Sequence, residues 1–138
     1  MKPLKVGLLG AGGNNVGDAR GLHHARHLSA LDAGTIVAVC DIVASAAERS
    51  AAQLGAAAYT DYEKFLRHGM DLVIIATPDT LHAQQAAQAL EAGVGVVSEV
   101  PAATTVDDAR RLVQAYRKAG GFYMLLENYG YRDENELI

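Results

Sequence analysis

Six short apolar runs alternate with helical patterns along almost the whole chain. The runs lie at residues 5–9, 36–40, 57–59, 72–76, 94–98 and 122–126. Strands that alternate with helices through short loops form a parallel sheet, because each helix carries the chain back across a face of the sheet. The order therefore predicts a single α/β domain built on a doubly wound parallel sheet of six strands.

Composition limits how many domains the chain can form and which kinds of partner it can bind. With 138 residues, 50% of them hydrophobic, the chain can bury one core, whereas a two-domain enzyme would not fit. A net charge of −4 without basic clusters argues against a nucleic acid or an anionic membrane as partner. The apolar runs are too short for a bilayer, the start does not resemble a signal peptide, and Cys40 is the only cysteine. These features predict a cytoplasmic location.

The segment between the first two strands has the layout of a dinucleotide-binding site. A glycine-rich loop, residues 10–13, follows the first strand directly. A loop without side chains lets backbone N–H groups approach a pyrophosphate at the start of the next helix. The third glycine of a compact G-x-G-x-x-G motif would fall on Asn15, so the motif requires an insertion at residues 14–19, with Gly21 in the third place.

Asp41 closes the second strand and indicates which dinucleotide the site takes. It lies 20 positions after Gly21, the distance at which an acidic residue reaches the ribose hydroxyls in such folds. No arginine follows it closely, so its carboxylate would accept a hydrogen bond from a 2′-hydroxyl and repel a 2′-phosphate. A glycine-rich loop alone fits an ordinary turn equally well, but together these features favour binding of NAD over NADP.

Three histidines carry chemistry that such a site could use. His23 and His27 lie one turn apart on the first helix without an obvious third ligand, so we predict a solvated or packing role and no metal site. His82 follows the fourth strand, at the strand end where ligands bind in open α/β sheets. Two alternatives stand for His82: a donor to cofactor or substrate, or a water-exposed residue at a helix start.

Four segments carry a more specific signal. They are Gly10-Ala11-Gly12-Gly13 with Arg20-Gly21, Ala76-Thr77-Pro78 with His82, Ala89-Leu90-Glu91-Ala92-Gly93, and Glu99-Val100-Pro101. Together they resemble the glucose-fructose oxidoreductase, inositol dehydrogenase and rhizopine-catabolism family (Gfo/Idh/MocA). The resemblance implies an N-terminal NAD(P)-binding Rossmann domain, here residues 1–127. Residues 128–138 would begin the connection to a C-terminal substrate domain that is absent from this chain.

The resemblance also implies a set of cofactor-binding residues. In the family, the glycine-loop positions and Arg20 cradle the pyrophosphate, Asp41 holds the adenosine ribose, and the other positions contact the nicotinamide half. Carried over to this sequence, the set comprises Gly10, Ala11, Gly12, Gly13, Arg20, Gly21, Asp41, Thr77, Pro78, His82, Glu99 and Asn128.

Val100 departs from the pattern of many family members, which carry a lysine at this position. That lysine helps to polarise the hydroxyl or carbonyl group that reacts, and valine cannot do so, which leaves the catalytic residue unassigned. The Glu-Val-Pro-Ala form, together with residues 124–128 and the following Tyr131-Arg132, resembles a branch that includes NAD-dependent α-N-acetylgalactosaminidases. Those enzymes oxidise a sugar carbon transiently, eliminate the glycosidic group and then reduce the carbon again.

Three functions follow as hypotheses. The first is the NAD(P)-binding domain of a sugar or polyol oxidoreductase, in which hydride passes to or from nicotinamide. This chain alone would be inactive, because a small sugar-like substrate would be held only with the missing domain. The alternatives are an NAD-dependent glycosidase and a stand-alone nucleotide-sensing or interaction module. A homo-oligomer is compatible with each of them.

Overall fold

The fold is described by a computed structural model that covers residues 3–12, 20–31 and 34–127. Within these ranges, six strands form one sheet in the order β3-β2-β1-β4-β5-β6, and every neighbouring pair is parallel. The strands are β1 (Leu4–Leu9), β2 (Gly34–Cys40), β3 (Ala57–Tyr59), β4 (Leu72–Ile75), β5 (Gly95–Glu99) and β6 (Tyr123–Leu126). The predicted doubly wound sheet of six parallel strands is confirmed.

Five α-helices connect the strands in the described part of the chain. They are α1 (Arg20–Ala30), α2 (Ala44–Leu54), α3 (Tyr62–Leu66), α4 (His82–Glu91) and α5 (Val106–Ala119). Side-chain caps fix the starts of two helices: Asp61 accepts a hydrogen bond from the backbone N–H of Lys64, and Thr105 accepts one from that of Asp108. Left-handed glycines, Gly55 and Gly120, end α2 and α5.

The central strands of the sheet are buried on both faces, because helices cover both sides of a parallel sheet. Along β4, Val73 and Ile75 belong to one hydrophobic cluster, whereas Ile74 between them belongs to the other. Phe65 and Leu90 complete the first cluster from the helices on that face. Successive side chains of a strand point to opposite faces, so one continuous apolar run supplies both cores.

The strand order reverses between β1 and β4. From β1 the chain continues outward through β2 and β3, and it then crosses back to β4 before continuing outward through β5 and β6. The connections that follow β1 and β4 therefore lie on opposite faces of the sheet, and a crevice opens between them at the carboxyl ends of the strands. No helix in the described ranges is long and apolar enough to cross a membrane.

Two predicted helix starts needed refinement. The helical pattern that begins near Thr80 opens as a 3-10 turn over Asp79–Leu81, and α4 proper begins at His82. Either Thr105 or Asp107 could cap the last helix from sequence alone, and the structure places Thr105 at that position. The predicted insertion at residues 14–19 and the connection at residues 128–138 lie outside the described residues.

Removing the cap of α5 should destabilise the chain. In the Thr105→Ala variant the N–H of Asp108 loses its acceptor, and we expect the free energy of unfolding to fall by about 1 kcal/mol. Urea denaturation followed by circular dichroism measures the change. Thr104→Ala is the matched control, because Thr104 is an exposed neighbour without a capping role. Equal losses in the two variants would contradict the assignment of the cap.

Candidate functional site

A cavity of about 560 Å³ opens at the carboxyl ends of β1, β2 and β4. This is the position of the reversal in strand order, and the volume lies within the range of small-molecule sites. Loops that follow these three strands line it, and they bring together six residues whose chemistry bears on a ligand: Gly10, Gly12, Asp41, Ile42, Thr77 and Pro78.

Two glycines allow the backbone of the first loop to pack closely against its neighbours. Gly10 has φ +93°, and a Cβ there would lie 2.5 Å from the carbonyl oxygen of Ala76. A Cβ on Gly21, at the start of α1, would lie 2.5 Å from the carbonyl oxygen of Gly10. Both distances are too short for any side chain, so glycine is required at both positions.

The first turn of α1 lies against this loop, since Gly21 packs on the carbonyl of Gly10. A helix amino terminus carries a partial positive charge and attracts anions. No acidic residue neutralises that charge in the first turn, and the exposed Arg20 adds a full positive charge there. This end of the crevice therefore suits a phosphate-bearing ligand.

Asp41 lies at the end of β2 with only 8% of its surface exposed. One carboxylate oxygen accepts a hydrogen bond from the backbone N–H of Ala11 at 2.8 Å, and the other accepts one from that of Val43 at 2.9 Å. These bonds fix the carboxylate against the glycine loop. Asp41 also lines the cavity, so its carboxylate lies where a ligand would meet it.

A short network behind the cavity orients Thr77, which follows β4. The Thr77 hydroxyl donates to Gln85 Oε1 at 2.5 Å, and the Tyr62 hydroxyl donates to the backbone carbonyl of Gln85 at 2.7 Å. Burial raises the pKa of Tyr62, so this hydroxyl remains a donor at ordinary pH. Sequence reasoning missed Gln85, whose only available signal was its position one turn into α4.

His82 is buried beneath the crevice, with 1% of its surface exposed. Its Nε2 lies 2.7 Å from the carbonyl oxygen of Thr77, and its Nδ1 lies 2.9 Å from that of Pro101. The alternative of a water-exposed histidine is wrong. A neutral imidazole has one N–H, so the ring donates to one of these carbonyl oxygens and lies in contact with the other. Both nitrogens face the loops after β4 and β5, so the ring positions those loops and presents neither nitrogen to a ligand.

Glu99 and His24 form a close pair at the carboxyl end of β5. His24 Nε2 lies 2.6 Å from Glu99 Oε1, and the side chains of His24 and Glu99 are 26% and 9% exposed. Since a carboxylate oxygen can only accept, the histidine N–H donates. Sequence reasoning missed His24, although the helical spacing of Gly21, Ala25 and Leu28 places it beside the face of α1 that meets the sheet.

Residues 4–126 match the oxidoreductase family that is characterised by an NAD-binding Rossmann fold, Gfo/Idh/MocA. The match covers the whole sheet. The chain belongs to this family. The sheet is therefore the NAD-binding Rossmann fold of that family, and the resemblance inferred from the sequence is confirmed.

Relatives and solved structures of similar sequence agree with the assignment. A glycosyl hydrolase family 109 protein of Shewanella pealeana is 32% identical over 97% of this chain, and an α-N-acetylgalactosaminidase of Shewanella oneidensis is 28% identical over all of it. The chain spans 31% of the length of each relative. The WlbA dehydrogenase of Bordetella pertussis, solved with NADH and UDP-GlcNAcA, superposes with a TM-score of 0.89 at 28% identity, covering 99% of this chain and 41% of that one.

Some of the family positions lie beyond what the structure describes. Gly13 and Asn128 fall outside the described residues, so their predicted contacts remain predictions. The rings of His23 and His27 stack edge to face with centroids 4.2 Å apart. Across the described ranges no three metal-binding side chains are grouped together.

A methyl group at Gly21 should disturb the packing of α1 against the loop after β1. The added carbon of Gly21→Ala would meet the Gly10 carbonyl oxygen at 2.5 Å and Leu8 Cδ1 at 2.7 Å. We expect the free energy of unfolding to fall by about 1–3 kcal/mol, measured by urea denaturation. Gly121→Ala is the control, because the nearest atom there, Leu90 Cδ2, is 3.4 Å away. A Gly21→Ala variant as stable as this control would contradict the packing described.

Cys40 lines the crevice as a protonated thiol. Burial first, and then the charges of Asp41 and Asp61, raise its pKa to about 11. At pH 8 the folded chain should react with a chromogenic disulfide reagent roughly a hundredfold more slowly than the chain unfolded in guanidinium, since only the thiolate reacts. As pH rises, the Cys40 thiol ionises at a lower pH in the unfolded chain than in the folded chain. The free energy of unfolding therefore falls between about pH 8.5 and 11. Equal rates at pH 8 would contradict the burial of Cys40.

Proposed function

We propose that the chain binds NAD in preference to NADP, extended across the crevice, as the cofactor domain of a sugar or polyol oxidoreductase. The observation that carries the proposal is the placement of Asp41 beside the glycine loop at the reversal in strand order. A carboxylate fixed there accepts hydrogen bonds from ribose hydroxyls and repels the two charges of a 2′-phosphate. The next residue, Ile42, is 93% exposed and offers no positive charge to such a phosphate.

The crevice fits the adenosine half of the cofactor on the β2 side. Ile42 lines the cavity, and Leu81 across it is 40% exposed. Large apolar side chains left open to solvent at a cavity wall suit a flat heterocycle, which would bury their surface on binding. Asp41 precedes Ile42 and binds the glycine loop through the N–H of Ala11, and we place the ribose beside it.

The glycine loop and α1 fit the pyrophosphate. Gly10 and Gly21 bring the backbone of the loop and the start of the helix together without side chains between them. The positive end of α1 and the charge of Arg20 complement the two phosphate groups. We propose the same location for Gly12 and Ala11, and we extend it to Gly13 from the family pattern.

The nicotinamide half would lie on the β4 and β5 side, between Thr77 with Pro78 and the carboxylate of Glu99. When bound, the nicotinamide ring accepts or donates the hydride. The residues of this chain hold and orient it: the Gln85 network fixes Thr77, and His82 joins the two loops from below. Asn128 is proposed beside the ring on the strength of the family pattern.

Reaction with a substrate would require residues beyond this domain. The chain spans 31% of the length of its curated relatives. We propose that residues 1–127 are the cofactor domain and that residues 128–138 lead into a domain that holds a small sugar-like substrate. The exposed apolar residues Val113, Tyr116, Phe122 and Met124 at the β6 side support this, because a following domain would cover them. If no other domain covers these apolar residues, copies of the chain are expected to associate through them.

Calorimetric titration of the chain with NAD⁺ and NADP⁺ tests the proposal. We expect saturable binding of NAD⁺ and at least about tenfold weaker binding of NADP⁺. Asp41→Asn keeps an oxygen acceptor for the loop but removes the charge. It should weaken NAD⁺ binding about tenfold and bring the two affinities close to each other, since a hydrogen bond to a charged group is lost.

Asp71→Asn is the matched control for this titration. Asp71 also accepts a backbone hydrogen bond, from the N–H of Lys5 at 2.8 Å, but it lies at the amino end of the strands, away from the crevice. This variant should bind both nucleotides as the unchanged chain does. Absence of binding of either nucleotide at millimolar concentration would overturn the proposal and favour a stand-alone interaction module.

An NAD-dependent glycosidase is the second candidate, and Val100 favours it. The position is half-buried beside Glu99 and carries no group that could polarise a carbonyl. The glycosyl hydrolase family 109 relatives favour it as well. A full-length parent protein should then release the aryl group of an aryl α-N-acetylgalactosaminide in the presence of NAD⁺ without accumulation of NADH. Net formation of NADH from a free sugar or polyol would support the oxidoreductase instead.

A further inference from the structure

His24 is the one histidine of α1 that meets a carboxylate in the described part of the chain. Its Nε2 donates to Glu99 Oε1 at 2.6 Å. The two residues are 75 positions apart, so the bond joins the first helix directly to the end of β5. His23, one position earlier, is exposed, and its ring lies edge to face with those of His24 and His27, with centroids 6.0 and 4.2 Å away.

The bond lies on the side of the crevice away from Asp41. With the adenosine half at Asp41 and the pyrophosphate at the loop between β1 and α1, the second half of a dinucleotide must extend toward β4 and β5. Glu99 ends β5 and is the acidic residue at that end. This placement rests on the proposed function, because it assumes a dinucleotide in the crevice.

Glu99 depends on His24 for its orientation. Its side chain is only 9% exposed, and its other oxygen, Oε2, has a longer contact of 3.3 Å with the N–H of the adjacent Val100. A carboxylate removed from water needs strong donors, and a short bond to a histidine N–H supplies one. Without His24, Glu99 would keep only the longer bond and would turn toward solvent.

We propose that His24 is a positioning residue for the nicotinamide half of the cofactor: its hydrogen bond to Glu99 Oε1 holds that carboxylate so that Oε2 accepts from the ribose hydroxyls of the nicotinamide nucleoside. On the other side of Val100, His82 holds the carbonyl of Pro101. Two histidines from different helices thus fix both flanks of the Glu99-Val100-Pro101 segment.

Two ligands separate this role from a general effect on the fold. NAD⁺ contains both nucleosides, whereas ADP contains the adenosine and the two phosphate groups but lacks the nicotinamide nucleoside. Calorimetry of each ligand would be run on the unchanged 138-residue chain and on His24→Leu, His24→Gln, Glu99→Gln and the double variant His24→Leu with Glu99→Gln. His23→Leu is the matched control, because it removes an exposed histidine from the same helix.

The unchanged chain should bind NAD⁺ more tightly than ADP. His24→Leu should raise the Kd for NAD⁺ about tenfold and leave the Kd for ADP within about twofold, because only the nicotinamide half loses a contact. His24→Gln should restore NAD⁺ binding to within about threefold, since its amide N–H can donate to Glu99 Oε1. In the Glu99→Gln background, His24→Leu should have no further effect, because it acts through that carboxylate.

Three results would overturn the inference while leaving the proposed function in place. They are an unchanged Kd for NAD⁺ in His24→Leu, equal weakening of NAD⁺ and ADP, and a loss with His23→Leu as large as that with His24→Leu. An unchanged chain that binds neither NAD⁺ nor ADP would instead overturn the proposed function and this inference together.

Discussion

The close approach of α1 to the loop after β1 is the constraint on which the crevice depends. A side chain at Gly10 or Gly21 would force the helix start away from the loop, because the space on either side is filled by backbone carbonyl oxygens. The same loop is tied to the other side of the crevice, since the N–H of Gly10 donates to the Cys40 carbonyl and that of Ala11 to Asp41. The position of the helix and the shape of the loop therefore depend on this packing, and the loop in turn helps to hold the carboxylate through the N–H of Ala11.

Most of the fold could be predicted from the sequence, because its strongest signal is local. Short apolar runs between turn residues are typical of buried parallel strands, and the left-handed glycines Gly55 and Gly120 mark two helix ends. The start of α4 was less clear. Helical spacing continues back through the 3-10 turn of Asp79–Leu81, since i to i+3 and i to i+4 patterns are alike over a few residues.

The site was only partly predictable, and the reason is the distance in sequence between its parts. Gly10, Gly21 and Asp41 belong to one strand-helix-strand unit, so their spacing along the chain carries the signal. The pairing of His24 with Glu99 joins residues on different units, and it is set by the parallel register of β1, β4 and β5. The contact of His82 with the Pro101 carbonyl likewise depends on where the loop after β5 passes, which no local pattern encodes. Sequence reasoning could place His82 at the crevice but not state which atoms it would bind.

The walls of the crevice belong to different halves of the sheet. Asp41 follows β2 on one side of β1, and Thr77 follows β4 on the other. A ligand that fills the cavity touches both halves at once and so binds only the assembled sheet, not either half alone. By mass action, a ligand present at 100 times its Kd would add about 2.7 kcal/mol to the free energy of unfolding. The resistance of this domain to proteolysis would then rise with the concentration of its ligand. The crevice would thus affect how much of the protein accumulates, in addition to binding the ligand.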